Sequence, residues 1–465
     1  MKKHIKNIAL SVLSIVTFTA CQSELDNFND DPNDPPTTTP TLLLTTMEVS
    51  TFATHTTGVI RYSNIFDQHL MGTDIGQLGP IAKYIITEQD VNNEWNTIYG
   101  TTLISGHILN RDFSTDYPYY NGMGQVLTAL NLGYATDIWG DVPYDEAFLA
   151  EQGNTNPKYN TQQEIYQRLQ TILDAAITNL NKPKSSNKEV PGNDDYIFKG
   201  DVQKWKQIAY VLKARYALRL TNRDNNAAQK ALDYINLAGI TSNSDDMNTL
   251  FTGAANETNQ WYDFEVNRES YVKMGKTFVD FLKSSSDPRL TFFVASELDE
   301  DGNPTGVYSG NAPEDTESTG TSYIGPSMAS ANSNIGIITY AEAKFIEAEA
   351  QFRLNHPIEA KAALTEAISA SVLKYTGTTA TLLFLNTVNT LSLENIIKQK
   401  YNSLFLTMEP YNDFRRTGFP TLIANQNSST KVIPVRIPTP SEERLYNPNA
   451  TVVSNTSTKV WWDNN

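Results

Sequence analysis

From Leu42 onward apolar residues recur with a helical period. In residues 162–180, Ile165, Leu169, Ile172, Leu173, Ala176 and Leu180 stand at offsets 0, 4, 7, 8, 11 and 15, which is one stripe along a helix. Thr161 with Glu164 three residues on forms a capping box at its start. Asp201 is placed to cap a second helix that carries Trp205, Ile208, Ala209, Leu212 and Tyr216. Residues 337–354 and 357–372 form a helix pair with Asn355-His356 as the turn, and residues 391–406 add another helix through Leu393, Ile396, Ile397, Tyr401, Leu404 and Phe405.

The pairs have a repeat-like layout. Ala348, Ala360 and Ala367 are 12 and 7 apart, the spacing of the small positions where the two helices of a tetratricopeptide unit cross closely. Residues 251–334 break the pattern. They are rich in Gly, Ser, Asn, Pro and aromatics, with a helical period only in 271–283, and so read as loops and hairpins inserted between helix pairs, the usual place of a binding face. The fold class is therefore all-α: tetratricopeptide-like helix pairs with an inserted loop- and hairpin-rich ligand-binding region about 251–334, in one domain over 42–465. Asp299 to Pro304 invites a calcium reading, but Gly302 falls two places early and no Glu stands at the twelfth position, so a turn on Asp301-Gly302 is expected and no cofactor.

The N-terminus has a different logic. Lys2, Lys3 and Lys6 precede an apolar run from Ile8 to Ala20, and Cys21, the only cysteine, follows directly. A stretch of thirteen residues is too short to span a bilayer, which takes about 20. The pattern is a lipoprotein signal, removed as residues 1–20, with Cys21 as the lipidation site whose acyl chains hold the protein to a membrane. Residues 21–41, dense in Pro and Asp, form an extended tether.

Charge narrows the partners. Those three lysines are among 36 Lys and Arg, so the chain from Cys21 carries 33 against 52 Asp and Glu, a formal net charge of −19. Such a field repels phosphate backbones and excludes a nucleic-acid partner. With no cysteine left for disulfides, stability must come from core burial. Histidines are scattered without zinc-ligand spacing, and no nucleophile elbow, phosphate loop or dinucleotide glycine pattern occurs. Paired carboxylates for a glycosidase remain open among so many acids.

Several segments then carry a resemblance. Ala135-Thr136-Asp137-Ile138-Trp139-Gly140-Asp141-Val142-Pro143-Tyr144, Tyr340-Ala341-Glu342-Ala343, Phe414-Arg415-Arg416-Thr417-Gly418-Phe419-Pro420, Ile433-Pro434-Val435-Arg436-Ile437-Pro438 and Val460-Trp461-Trp462-Asp463 resemble, in order, motifs of the SusD/RagB family of outer-membrane nutrient-binding lipoproteins of Bacteroidetes. Asp31-Pro32-Asn33-Asp34-Pro35 is similar to its SusD-like subgroup. Phe414 stands where the family has Trp. The resemblance implies a tetratricopeptide-like fold docked on a SusC-like TonB-dependent outer-membrane transporter, holding an oligosaccharide, or in some members a peptide, for import without cleaving it. It also implies a cell-surface location, since Glu24 and Asp26 resemble the phylum's export signal. The alternatives are a surface glycoside hydrolase or peptidase, and a helical-repeat scaffold that binds only proteins.

Sugar rings stack C–H faces on aromatics and pair their hydroxyls with polar side chains. On that chemistry the ligand-binding candidates are Phe66, His69, Asp74, Tyr84 and Trp95 in residues 62–95, and Trp261, Tyr262 and Arg268 in residues 260–268. The resemblance places family ligand contacts broadly in these two segments. Trp139, Trp461 and Trp462, inside the shared motifs, are expected to pack.

Overall fold

A computed structural model describes residues 38–317 and 319–463. Cys21, the signal, Glu24, Asp26 and the tether up to Thr37 lie outside them. Helix α1 (Pro40–Thr54) begins with Pro40 in its first turn, where a missing N–H costs nothing, and Thr39 Oγ1 accepts from the Leu42 N–H at 3.2 Å. It is followed by α2 (Gly58–Phe66), α3 (Ile104–Phe113) and α4 (Pro118–Trp139), the last buried along nearly its whole length.

The predicted helices form as their caps dictate. In α5 (Gln162–Leu180) the Glu164 carboxylate accepts from the Thr161 N–H at 2.8 Å while Thr161 Oγ1 accepts from the Glu164 N–H at 3.3 Å. Asp201 caps α6 (Val202–Arg219) by accepting from the Gln203 and Lys204 N–H groups. Then come α7 (Ala227–Ala238), α8 (Gln260–Asn267), α9 (Lys276–Ser284), α10 (Tyr340–Arg353), α11 (Pro357–Thr376), α12 (Leu393–Ser403) and α13 (Glu409–Thr417). The pairs α4/α5, α6/α7 and α10/α11 pack side by side, α6 joining the first pair to the second and α7 the second to the third. Ala348, Ala360 and Ala367 are fully buried, so α10 and α11 approach through small side chains over a local core of Phe345, Leu364, Ile368 and Ile396. A larger apolar core runs from Leu43 to Trp462.

Three expectations shift. The α10 helix starts at Tyr340 rather than 337, because Gly336–Ile338 is a strand and Thr339 caps the helix, its Oγ1 accepting from the Glu342 N–H. The period seen in 271–283 divides into the strand Val272–Met274 and α9, since pairing with Leu70–Gly72 takes its first residues. Within 251–334, residues 260–267 are helical: Asn259 Oδ1 accepts from the Trp261 and Tyr262 N–H groups and starts α8 despite its aromatic, weakly periodic sequence. The Asp301-Gly302 turn is present, with Gly302 at φ 82° and Asp299 Oδ1 accepting from the Asp301 and Asn303 N–H groups.

The strands are short antiparallel clips: β1 (Leu70–Gly72) with β5 (Val272–Met274), β2 (Val142–Pro143) with β3 (Tyr159–Asn160), and β4 (Met247–Asn248) with β6 (Gly336–Ile338). Their value is long-range. The first joins residues 70–72 to the loop-rich segment, with Leu70 opposite Met274.

Four of the motif segments meet in one buried knot. Asp137 accepts from Tyr166 Oη at 2.5 Å and from Trp462 Nε1 at 2.9 Å, and Arg219 lies 3.5 Å away. Arg415 donates to the Asp137 and Val435 carbonyls and stacks 4.7 Å over Trp462. Trp139 Nε1 donates to the Pro438 carbonyl at 3.0 Å, and Gly140, at φ 80°, ends α4 where a Cβ would stand 3.1 Å from the Arg436 guanidinium. Beside it Arg416 pairs with Glu349 and Asp413, and Arg219 with Glu409. Arg219, Arg416, Asp137, Glu349, Glu409 and Asp413 are buried, each beside an opposite charge, the condition on which such groups are tolerated.

Candidate ligand-binding groove

The β1/β5 clip brings the two candidate segments together, as do Thr73 Oγ1 donating to the Ser270 carbonyl at 2.6 Å and the Thr73 N–H donating to Tyr271. Within them the candidate side chains have very different fates. Phe66 is fully buried between the rings of Tyr84 and Tyr411. His69, also fully buried, stacks 3.8 Å from Tyr401 and is held by the Tyr401 carbonyl at 3.1 Å and Asp67 at 3.0 Å. Trp95 is wedged among Tyr99, Trp139 and Tyr159. Tyr84 is buried and its hydroxyl accepts from the Asn425 N–H at 2.9 Å. Trp261 has no exposed surface and lies under the Arg61 guanidinium. These five are core residues, because each ring is already covered on both faces or buried outright and presents no face to a ligand; the sequence expectation for them is corrected.

Asp74 and Arg268 are exposed and Tyr262 is half-buried. Asp74 already accepts from Lys83 Nζ at 2.7 Å and Thr316 Oγ1 at 2.5 Å, which holds its carboxyl below the ordinary value and fixes its loop. Arg268 donates to the Asn267 carbonyl at 3.0 Å.

Next to this region, against the N-terminus of α8, lies a groove of about 500 Å³ that the aromatic pattern in residues 62–95 and 260–268 did not name. Its floor is Phe52 on α1 and Phe251, edge to face at 6.5 Å. Val49, Leu250 and Tyr196 rim it, and Thr252, Asn256, Glu257, Thr258 and Gln260 supply polar groups on one side. Tyr196 is 37% exposed, enough to offer a ring face.

The walls are held from behind. Asn259, besides capping α8, donates through Nδ2 to the Met328 and Ser333 carbonyls, and Asn334 Oδ1 accepts from the Phe251 N–H at 2.7 Å. The loop under Tyr196 is wound on Asp195, which accepts from the Ile197, Phe198 and Gly200 N–H groups and from Trp205 Nε1, all within 3.0 Å. The Tyr196 N–H donates to Glu48 at 2.8 Å; burial, with the Asp195 carboxylate close by, pushes the Glu48 carboxyl well above the usual range. An aromatic floor with one polar rim on a braced frame suits a polyhydroxylated ring. Glu257 is the one carboxylate lining the groove, so the pair that glycoside hydrolysis needs is not assembled there. Among the described residues no group of three or more His, Cys, Asp or Glu is placed to hold a metal ion, and no helix is long and apolar enough to cross a membrane.

The signal that could have found Tyr196 was an aromatic in the polar, Gly- and Asp-rich stretch 191–200, the same signal used elsewhere. Phe52 gave none, because on a buried helix its outer edge is indistinguishable from core.

Comparison with known proteins follows the same lines. A search of curated proteins finds no match. Among solved structures, a chitin-binding protein is 25% identical, with a TM-score of 0.78 over 92% of this chain and 100% of its own. A SusD/RagB family protein from Bacteroides thetaiotaomicron VPI-5482 is 25% identical, with a TM-score of 0.78 over 92% and 99%. A chitin-binding SusD homolog from Flavobacterium johnsoniae shares the fold at 19% identity, with a TM-score of 0.78 over 91% and 99%. The profile of the SusD-like family, described as starch-binding and associating with the outer membrane, matches residues 32–440. With that match over most of its length and the shared fold, the chain belongs to the SusD-like (SusD/RagB) family.

Proposed function

We propose that this protein is an outer-membrane lipoprotein, anchored on the cell surface through Cys21, that binds an uncharged oligosaccharide in the groove beside α8 and delivers it to a SusC-like TonB-dependent transporter without cleaving it. The observation that carries the reading is the groove itself: Phe52, Phe251 and half-exposed Tyr196 facing Asn256, Glu257 and Gln260. The family description and the chitin-binding neighbour at 25% identity support a glycan as ligand. The net charge of −19 after signal removal favours a neutral glycan over a uronic or sulfated one, because like charge raises the cost of approach. A single lining carboxylate supports retention over hydrolysis. Asp74, Tyr262 and Arg268, on the adjoining loops, would extend the same surface.

The test is calorimetric titration of the mature chain with starch- and chitin-derived oligosaccharides, beside Tyr196→Ala. Loss of a stacking ring should weaken binding by about 1 kcal/mol or more, a factor of at least 5, with the melting temperature nearly unchanged. Unchanged affinity in Tyr196→Ala, or new reducing ends after incubation, would sink the reading.

A further inference from the structure

A second cavity, of about 330 Å³, opens between α3, α4 and α5 beneath the turn that follows β2. It shares no lining residue with the groove beside α8. Phe148 and Tyr144 form an aromatic wall, with the His107 ring 5.3 Å from that of Phe148. The lining also carries the amides of Asn110 and Gln125. They are oriented by a relay: Asn179 Nδ2 donates to Gln125 Oε1 at 3.0 Å, and Gln125 Nε2 donates to Asn110 Oδ1 at 3.3 Å. The relay spends the Asn110 acceptor within the protein and leaves its exposed amide N–H groups for a ligand.

The helix that borders the cavity is regular along it and irregular just before it, only Leu103 of the irregular turn reaching the lining. A π-helical turn, Ile98–Leu103, precedes α3, and wide turns of this kind concentrate at functional sites. At Gly106 a Cβ would meet Thr128 Oγ1 at 2.4 Å, so glycine lets α3 close on α4. The lining also sets the ligand's charge. It holds no Lys or Arg, and its one acid, Asp145, is neutralised by Arg168 at 2.9 Å and bonded by Asn160 at 2.9 Å. Burial, with Arg111 beside it, holds the His107 imidazole below its ordinary value, which favours its neutral form. A phosphate, a carboxylate or a metal ion would find no counter-charge there.

We propose that this cavity is a second saccharide subsite, taking one or two uncharged sugar rings against Phe148 and Tyr144 with their hydroxyls on Asn110 and Gln125. It takes its ligand class from the glycan reading of the groove but uses none of the groove's residues. Two separate subsites on one chain hold a polymer by effective concentration: once one is filled, the second binds as an intramolecular event.

The experiment titrates the full mature chain with maltotriose and chitotriose by calorimetry and measures retention on insoluble starch and chitin. Two sites per chain are expected, one lost in Phe148→Ala and in Asn110→Ala, the other in Tyr196→Ala. Retention on the polymer should fall about tenfold in either class of variant, as avidity is lost. Asn110 is exposed, so its variant folds even if Phe148→Ala does not. One site per chain, removed by Tyr196→Ala and untouched by Asn110→Ala, would overturn the second subsite and leave the groove standing. No heat with any glycan would overturn both.

Discussion

At the scale of single residues, burial decides which aromatic is free to bind. Trp261 looked like a ligand platform by sequence, as it lies in an irregular segment beside Tyr262 and Arg268. Its ring is fully covered, so Trp261→Ala removes a core side chain: a loss of about 3–5 kcal/mol and a clear fall in melting temperature are expected. Tyr196 is the reverse case, an exposed ring whose loss should be felt in binding. Glu94 gives a pH signature. Burial pushes its carboxyl up to about 8, against the pull of Arg61. The folded chain therefore keeps the proton where the unfolded chain, near 4.5, gives it up. The stabilising contribution is present in full below about 4.5 and is lost as pH rises to about 8, by up to about 1.4 kcal/mol per pH unit in that window. In denaturant titrations Glu94→Gln should flatten this decline relative to the native chain; an identical slope in both would reassign the effect.

At the scale of elements, the groove depends on loops that one or two side chains wind into shape. Asp195 satisfies three backbone N–H groups and the Trp205 indole at once. Asp195→Ala strands those donors at a cost of about 3 kcal/mol, and it should weaken glycan binding through Tyr196 although Asp195 lines no part of the groove. Thermal melts and titrations of the same sample would show both losses; a stability loss with native affinity would mean that the loop does not position the ring. The α10/α11 contact makes a complementary point. Ala348→Leu should overpack the crossing by about 1–3 kcal/mol and leave binding intact, since the local core there is separate from the groove. This contact was legible from spacing because close helix crossings demand small side chains, a local rule. The start of α8 was not, because its cap, Asn259, earns its position from carbonyls of residues 328 and 333.

For the whole molecule, the proposed function places anchoring and binding in different parts of the chain. The described residues begin at Thr38, with α1 packed in the core from Leu43 onward, and the proposed anchor lies outside them. Cys21→Ala should therefore keep the melting temperature and the glycan affinity of the native chain while the protein leaves the membrane fraction. Glycan binding lost together with membrane attachment would contradict that separation. The buried ionic knot acts at this scale too, tying α6, α10 and α13 to the C-terminal segment. Removing one partner, as in Arg416→Met, leaves Glu349 and Asp413 buried with less counter-charge and should cost about 3–5 kcal/mol.

Sequence by itself determined the helical class, the capped starts of α5 and α6, the small-residue crossing of α10 and α11, and the family, because helical period, caps and ordered motifs are local patterns along the chain. Only the tertiary structure decided which rings stay exposed. Phe66, His69, Tyr84, Trp95 and Trp261 are covered by residues far away in sequence, Tyr411, Tyr401, Asn425, Trp139 and Arg61, whereas Tyr196 is held open by Asp195 and Glu48. Exposure is a property of the neighbours a fold brings, and no local pattern encodes those neighbours.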